Sequence, residues 1–131
     1  MAASLKQVFR PDLAWWESVF AIMDAGDAES FSELLTPDAT FRFGNAPVLV
    51  GREAARASIA SFFHGIGSSR HRVSGIWNGA ATAVCEGEVT YRRVDHSTVT
   101  FPFVNVLEMR GKSIAAYRLY IDQATLLETA A

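Results

Sequence analysis

The chain has 131 residues, half of them apolar and a fifth charged, with a formal net charge of −2. That composition suits one packed domain over residues 1–131 and excludes a disordered chain, while the scattered Lys and Arg residues give no basic stripe for nucleic acid. No stretch approaches the roughly 20 apolar residues of a membrane helix and the opening MAASLKQVFRPDLAWW lacks a signal-peptide core, so a soluble cytoplasmic protein with no membrane partner is expected.

In chain order, Asp12 caps a first predicted helix, in which Leu13, Trp16, Val19, Phe20 and Met23 recur at helical spacing and which Gly26 ends in the left-handed conformation. Asp27 caps a shorter helix with Phe31, Leu34 and Leu35 inward. The segment TPDATFRF predicts a turn at Pro37 and Asp38 and a strand carrying Phe41 and Phe43. A third helix is predicted from near Arg52, with Ala55, Ile59, Phe62 and Phe63 inward, closing at HGIGSS.

From His71 the apolar period drops from about 3.6 to 2. Strands are predicted over 71–77, 80–93, 98–109 and 114–122, separated by Asn78-Gly79, Asp95-His96 and RGKS. Helices followed by an antiparallel meander define an α+β class, with the helices on one face of the sheet.

The second hairpin raises a chemical question. With Asp95 and His96 as a two-residue turn, Glu86 faces Asn105, Glu88 faces Phe103 and Thr90 faces Phe101, all on one side. Cys85, Val89, Tyr91, Val104 and Val106 then form an opposite face too apolar for water, which predicts a second subunit over it. Pro102 suggests a bulge. Carboxylates turned toward aromatic rings have raised pKa values and suit general acid or base work near neutral pH.

The three helices, MDAGDAESFSELLTPDATFRF, the GR before the third helix and the closing AAYRLYID together resemble the nuclear transport factor 2-like superfamily. More narrowly, they resemble its SnoaL-like polyketide cyclase, ketosteroid isomerase and limonene epoxide hydrolase branch, over roughly residues 8–127. The resemblance implies a cone-shaped fold, with three N-terminal helices packed on a strongly curved, mostly antiparallel sheet around an apolar pocket. It also implies a homodimer through the outer sheet face. Matched residue by residue, the isomerase's general base falls on Phe43, its oxyanion tyrosine near Val19 and its second oxyanion donor on Asn105. For the epoxide hydrolase, Glu88 takes the place of one carboxylate, Glu86 that of the arginine and Leu119 that of the other carboxylate, so neither catalytic set is complete.

The candidate catalytic residues are therefore Glu88, Glu86, Asn105, Tyr117 and His71. Tyr117 alternates with Leu119 and Ile121 toward the pocket, and His71 opens the first long strand; His64 closes the third helix. The candidate substrate wall comprises Trp16, Phe20, Phe41, Phe43, Phe62, Phe63, Trp77, Phe101, Phe103, Leu119 and Ile121. Cys85, the sole cysteine, is expected to be an inert buried thiol, and Asp24, Asp27 and Asp38 to serve caps and turns. No metal-ligand spacing or phosphate cradle is present, so no cofactor is expected.

These residues predict an acid/base enzyme acting on a small hydrophobic carbonyl- or epoxide-bearing molecule by isomerisation, cyclisation, dehydration or hydrolysis. The alternatives are a protein that binds such a lipophilic molecule without turning it over, and a dimerising scaffold.

Overall fold

The structure, a computed structural model, describes residues 9–122. Helix α1 (Leu13–Asp24) begins where the Asp12 carboxylate accepts the Trp15 N–H at 2.8 Å, satisfying one of the donors that a helix start leaves free. Its buried stripe is Trp16, Val19, Phe20 and Met23, spaced three, one and three apart as one helical face requires.

The end of α1 is a two-bond cap around Gly26, whose φ of +69° suits a residue without a Cβ. The Gly26 N–H bonds the Met23 carbonyl at 2.9 Å and the Asp27 N–H bonds the Ile22 carbonyl at 3.1 Å. This cap fixes Asp24 as the last helical residue. Asp27 in turn caps α2 (Ala28–Glu33) by accepting the Ser30 N–H.

Strand β1 (Leu35–Phe43) runs through Pro37 and Asp38 instead of turning there, and its register with β6 shifts between Leu35 and Thr40 to absorb them. After the short β2 (Leu49–Val50), helix α3 (Arg52–Ile66) buries Ala55, Ile59 and Ile66. The meander follows as β3 (Ser68–Asn78), β4 (Thr82–Arg92), β5 (Thr98–Arg110) and β6 (Ser113–Tyr120). The six strands lie in the order β2-β1-β6-β5-β4-β3, antiparallel except for the β1–β6 pair. Helix α1 packs across β3 and α3 across β1, so the concave face of the curved sheet is covered and its other face is left outward. Trp16, Phe31, Leu35, Leu107, Ile114 and Tyr117 are fully buried between these layers. Each such side chain contributes about 1.5–3 kcal/mol relative to exposure.

The hairpin between β4 and β5 corrects the expected register. Its turn has three residues, Val94, Asp95 and His96, closed by the Arg93 N–H on the Ser97 carbonyl at 2.8 Å, with His96 at φ +72°. The extra residue moves every pair by one, so Cys85 faces Asn105, Gly87 faces Phe103, and Val89 faces Phe101. Because side chains alternate along a strand, this one-residue slip exchanges the faces of β4. Cys85, Val89 and Tyr91 are buried inward, whereas Glu86 and Glu88 are exposed outward beside Val104 and Pro102. The wholly apolar outer face expected from Cys85, Val89, Tyr91, Val104 and Val106 therefore does not form.

Pro102 makes no bulge and pairs in register with Glu88. The β5–β6 ladder reaches only to the Val104–Tyr120 pair, so β5 carries its proline where β6 no longer pairs, the edge condition that strands accommodate. No helix among the described residues is long and apolar enough to cross a membrane.

Candidate functional site

Three local features bring a histidine and a carboxylate together at the sheet edge. On β3, alternation turns Ser69, His71 and Val73 inward. That strand is the last in the sheet, so alternate backbone N–H groups have no neighbouring strand to pair with. The Schellman-type end of α1 places Asp24 beside it, and the Asp24 Oδ2 accepts the His71 backbone N–H at 3.0 Å.

The same carboxylate holds the imidazole ring. His71 Nδ1 lies 2.6 Å from Asp24 Oδ1, which also accepts the Ser69 hydroxyl at 2.8 Å. In the neutral ring with Nδ1–H donated to Asp24, the lone pair falls on Nε2, which forms no hydrogen bond to any of the described residues. The ring plane is clamped as well: Phe20 stacks on it at 4.4 Å and 7°, and Phe103 meets it edge-on at 5.5 Å. The His71 side chain is 7% exposed and that of Asp24 25%.

Burial by itself would raise the Asp24 pKa, but the His71 ring bond and charge, the His71 N–H and the Ser69 hydroxyl outweigh it and hold the carboxyl below its ordinary value. Asp24 is therefore ionised at neutral pH. As the last residue of α1 it lies at the negative end of the helix dipole, where a carboxylate is unfavourable for the helix itself. Its place is explained by His71 and Ser69, not by the cap role expected from the sequence.

His71 forms part of the wall of an apolar chamber of about 190 Å³. Phe41 and Phe43 of β1, Ile59, Phe62 and Phe63 of α3, Tyr91 of β4 and Leu119 of β6 make up most of the rest. Burial, and then the nearby charge of Asp24, push the Tyr91 phenol well above its ordinary pKa, so it stays protonated and can donate. Outside the chamber, an open groove of about 500 Å³ runs between the ends of α1 and α3, past Asp24, His64 and Ser69. Asp24 and His71 also border a groove between α1 and β3 that includes Phe20 and Arg72.

The remaining sequence candidates fall elsewhere. Glu86 and Glu88 are on the opposite face of the sheet from His71, and Glu88 pairs with Arg72 in the open. Asn105 is 1% exposed opposite Cys85, and its Oδ1 has no partner among the described residues. Tyr117 is fully buried and its hydroxyl donates to the Met23 sulfur at 3.8 Å, which places it in the core.

Of the expected aromatic wall, Phe41, Phe43, Phe62, Phe63 and Leu119 line the chamber. Trp16, Phe101 and Phe103 are core residues, Phe20 backs the imidazole, and Ile121 is half-buried against the core. Trp77 corrects the reading, being 54% exposed on the outer face, with its ring over Gly75. The bulge between Val73 and Gly75 changes the parity along β3 and turns Trp77 out. Among the described residues, no group of three His, Cys, Asp or Glu side chains could hold a metal ion.

The sequence profile of the SnoaL-like domain matches residues 16–117. An NTF2-like protein of unknown function from Burkholderia pseudomallei superposes with a TM-score of 0.79 at 14% identity, over 91% of this chain and 96% of that one. A protein from Jannaschia sp. CCS1, named for SnoaL-like polyketide cyclases, gives 0.72 at 17% identity over 93% and 94%. A hypothetical protein with a ketosteroid isomerase-like fold from Catenulispora acidiphila, solved with trimethylamine, gives 0.77 at 15% over 86% and 88%. At these identities the likeness is one of fold. No curated protein matches the sequence.

Proposed function

Since the chain belongs to the SnoaL-like domain family, whose fold hosts both catalysts and binders, we propose from its own residues that it is an acid/base enzyme in which His71 moves a proton on a small apolar substrate. One observation carries this reading: a carboxylate-held imidazole whose Nε2 is not bonded to any described residue forms part of the wall of an otherwise apolar chamber.

The chemistry follows from the geometry. His71 Nε2 accepts a proton from a carbon next to a carbonyl, or from a hydroxyl, and returns it to another atom of the same molecule. Asp24 is a positioning residue: it fixes the tautomer with the lone pair on Nε2, and its charge stabilises the imidazolium that forms. Tyr91, kept protonated, is the phenol of the wall that can donate to developing oxygen charge. The aromatic wall orients the substrate and excludes water. This scheme yields isomerisation, cyclisation or elimination without a cofactor, and it replaces the glutamate base expected from the sequence.

The test is a screen of enolisable ketones and hydroxylated aromatics, followed by His71→Gln and Tyr91→Phe. General acid–base groups contribute about 100- to 10,000-fold, so His71→Gln is expected to lower kcat by about that factor. Ligand bound and recovered unchanged by both wild type and variant would instead identify a binding protein.

A further inference from the structure

The size and lining of the chamber narrow what it takes. An apolar cavity of roughly 150 Å³ accommodates benzene, whereas drug-sized ligands occupy pockets of roughly 300–1,000 Å³. At about 190 Å³ the chamber lies just above the first and well below the second. Its polar lining comes from Ser58, Ser69, His71 and Tyr91, and it includes no Lys or Arg side chain. Behind His71 stands the ionised Asp24 carboxylate, so a second negative charge entering the chamber meets repulsion and no counterion.

The partition between chamber and groove adds a detail. Met23, Phe63 and Ser69 line both the chamber and the open groove of about 500 Å³, so a ring seated against His71 can direct one short polar substituent past them.

We infer that the ligand is a neutral, single-ring molecule of about ten non-hydrogen atoms or fewer, bearing a carbonyl or hydroxyl group, and not a fused tetracycle or an aromatic acid. The direction in which its polar group points rests on the proposed role of His71; the limits on size and charge do not.

Calorimetric titration with three probes tests this: p-cresol (neutral, one ring), 4-hydroxybenzoate (its anionic counterpart) and progesterone (four fused rings). Saturable binding of p-cresol is expected, with 4-hydroxybenzoate at least about tenfold weaker and progesterone unbound. Ala46→Phe, which adds a ring at a residue of the chamber lining, should abolish p-cresol binding. Absence of p-cresol binding, its survival in Ala46→Phe, equal affinity for the carboxylate, or tighter binding of progesterone would each overturn the inference. Binding within these limits by an enzyme whose turnover ignores His71→Gln would leave the inference standing and sink the proposed base. His71-dependent turnover of a tetracycle would do the reverse.

Discussion

Asp24 holds His71 at two points, its Oδ1 on the ring Nδ1 at 2.6 Å and its Oδ2 on the backbone N–H at 3.0 Å. One carboxylate thus ties a helix end to the free edge of the sheet and sets the orientation of the imidazole. Asp24→Asn keeps the shape and removes the charge, so its cost in urea denaturation at pH 7 is expected to be about 1–3 kcal/mol. The sign of the pH dependence follows from the depressed Asp24 pKa. The carboxylate stabilises the fold fully above its unfolded pKa of about 3.9, and that stabilisation is lost as pH falls through the lower folded value. The stability gap between wild type and the Asp24→Asn variant should therefore narrow below about pH 4; a gap that widened in acid would contradict the pairing.

Gly87 is the inward residue between the two glutamates of β4, and a Cβ there would lie 1.9 Å from the Arg72 carbonyl oxygen. Gly87→Ala must push β3 from β4 beside the register shift at Val73 and Gly75, at an expected cost of about 1–3 kcal/mol. Gly65→Ala, near the end of α3 with no atom within 4 Å of its Cβ, should instead be neutral or stabilise by up to about 1 kcal/mol. Thermal melts of both variants check the contrast.

Glu86→Gln and Glu88→Gln should leave ligand binding and turnover unchanged. The Arg72–Glu88 pair is exposed on both sides, so its loss is expected to cost under about 1 kcal/mol in a denaturation curve. A hundredfold loss of activity in either variant would restore the glutamate mechanism.

How the sequence misplaced these two residues is physically specific. Helix limits were readable because Asp12, Asp27 and Gly26 act locally, and the strands because their apolar period is 2. The face that each side chain occupies depends instead on one residue of turn length. His96 takes a positive φ without being glycine, so the three-residue turn carried no glycine to mark it. Asp24 was missed because its partner lies 47 residues away on β3. The available signal was a carboxylate at the end of a helix, where the dipole disfavours it.

Cys85 offers a check on the register that needs no ligand. It is fully buried, and burial followed by the charge of Glu86 pushes its thiol up to about 12. A thiol reagent at pH 8 should label it at least about a hundredfold more slowly in the native protein than in urea. Equally fast labelling would place Cys85 on the outer face and return the glutamates to the interior.

Long-range proton–nitrogen NMR of the His71 ring at neutral pH, with and without p-cresol, decides whether His71 is the proposed base. In the neutral ring the proton is expected on Nδ1 and the lone pair on Nε2, whose resonance should shift on addition of the probe. A ring protonated on Nε2 alone, or an Nε2 signal indifferent to a ligand that does bind, would contradict that role.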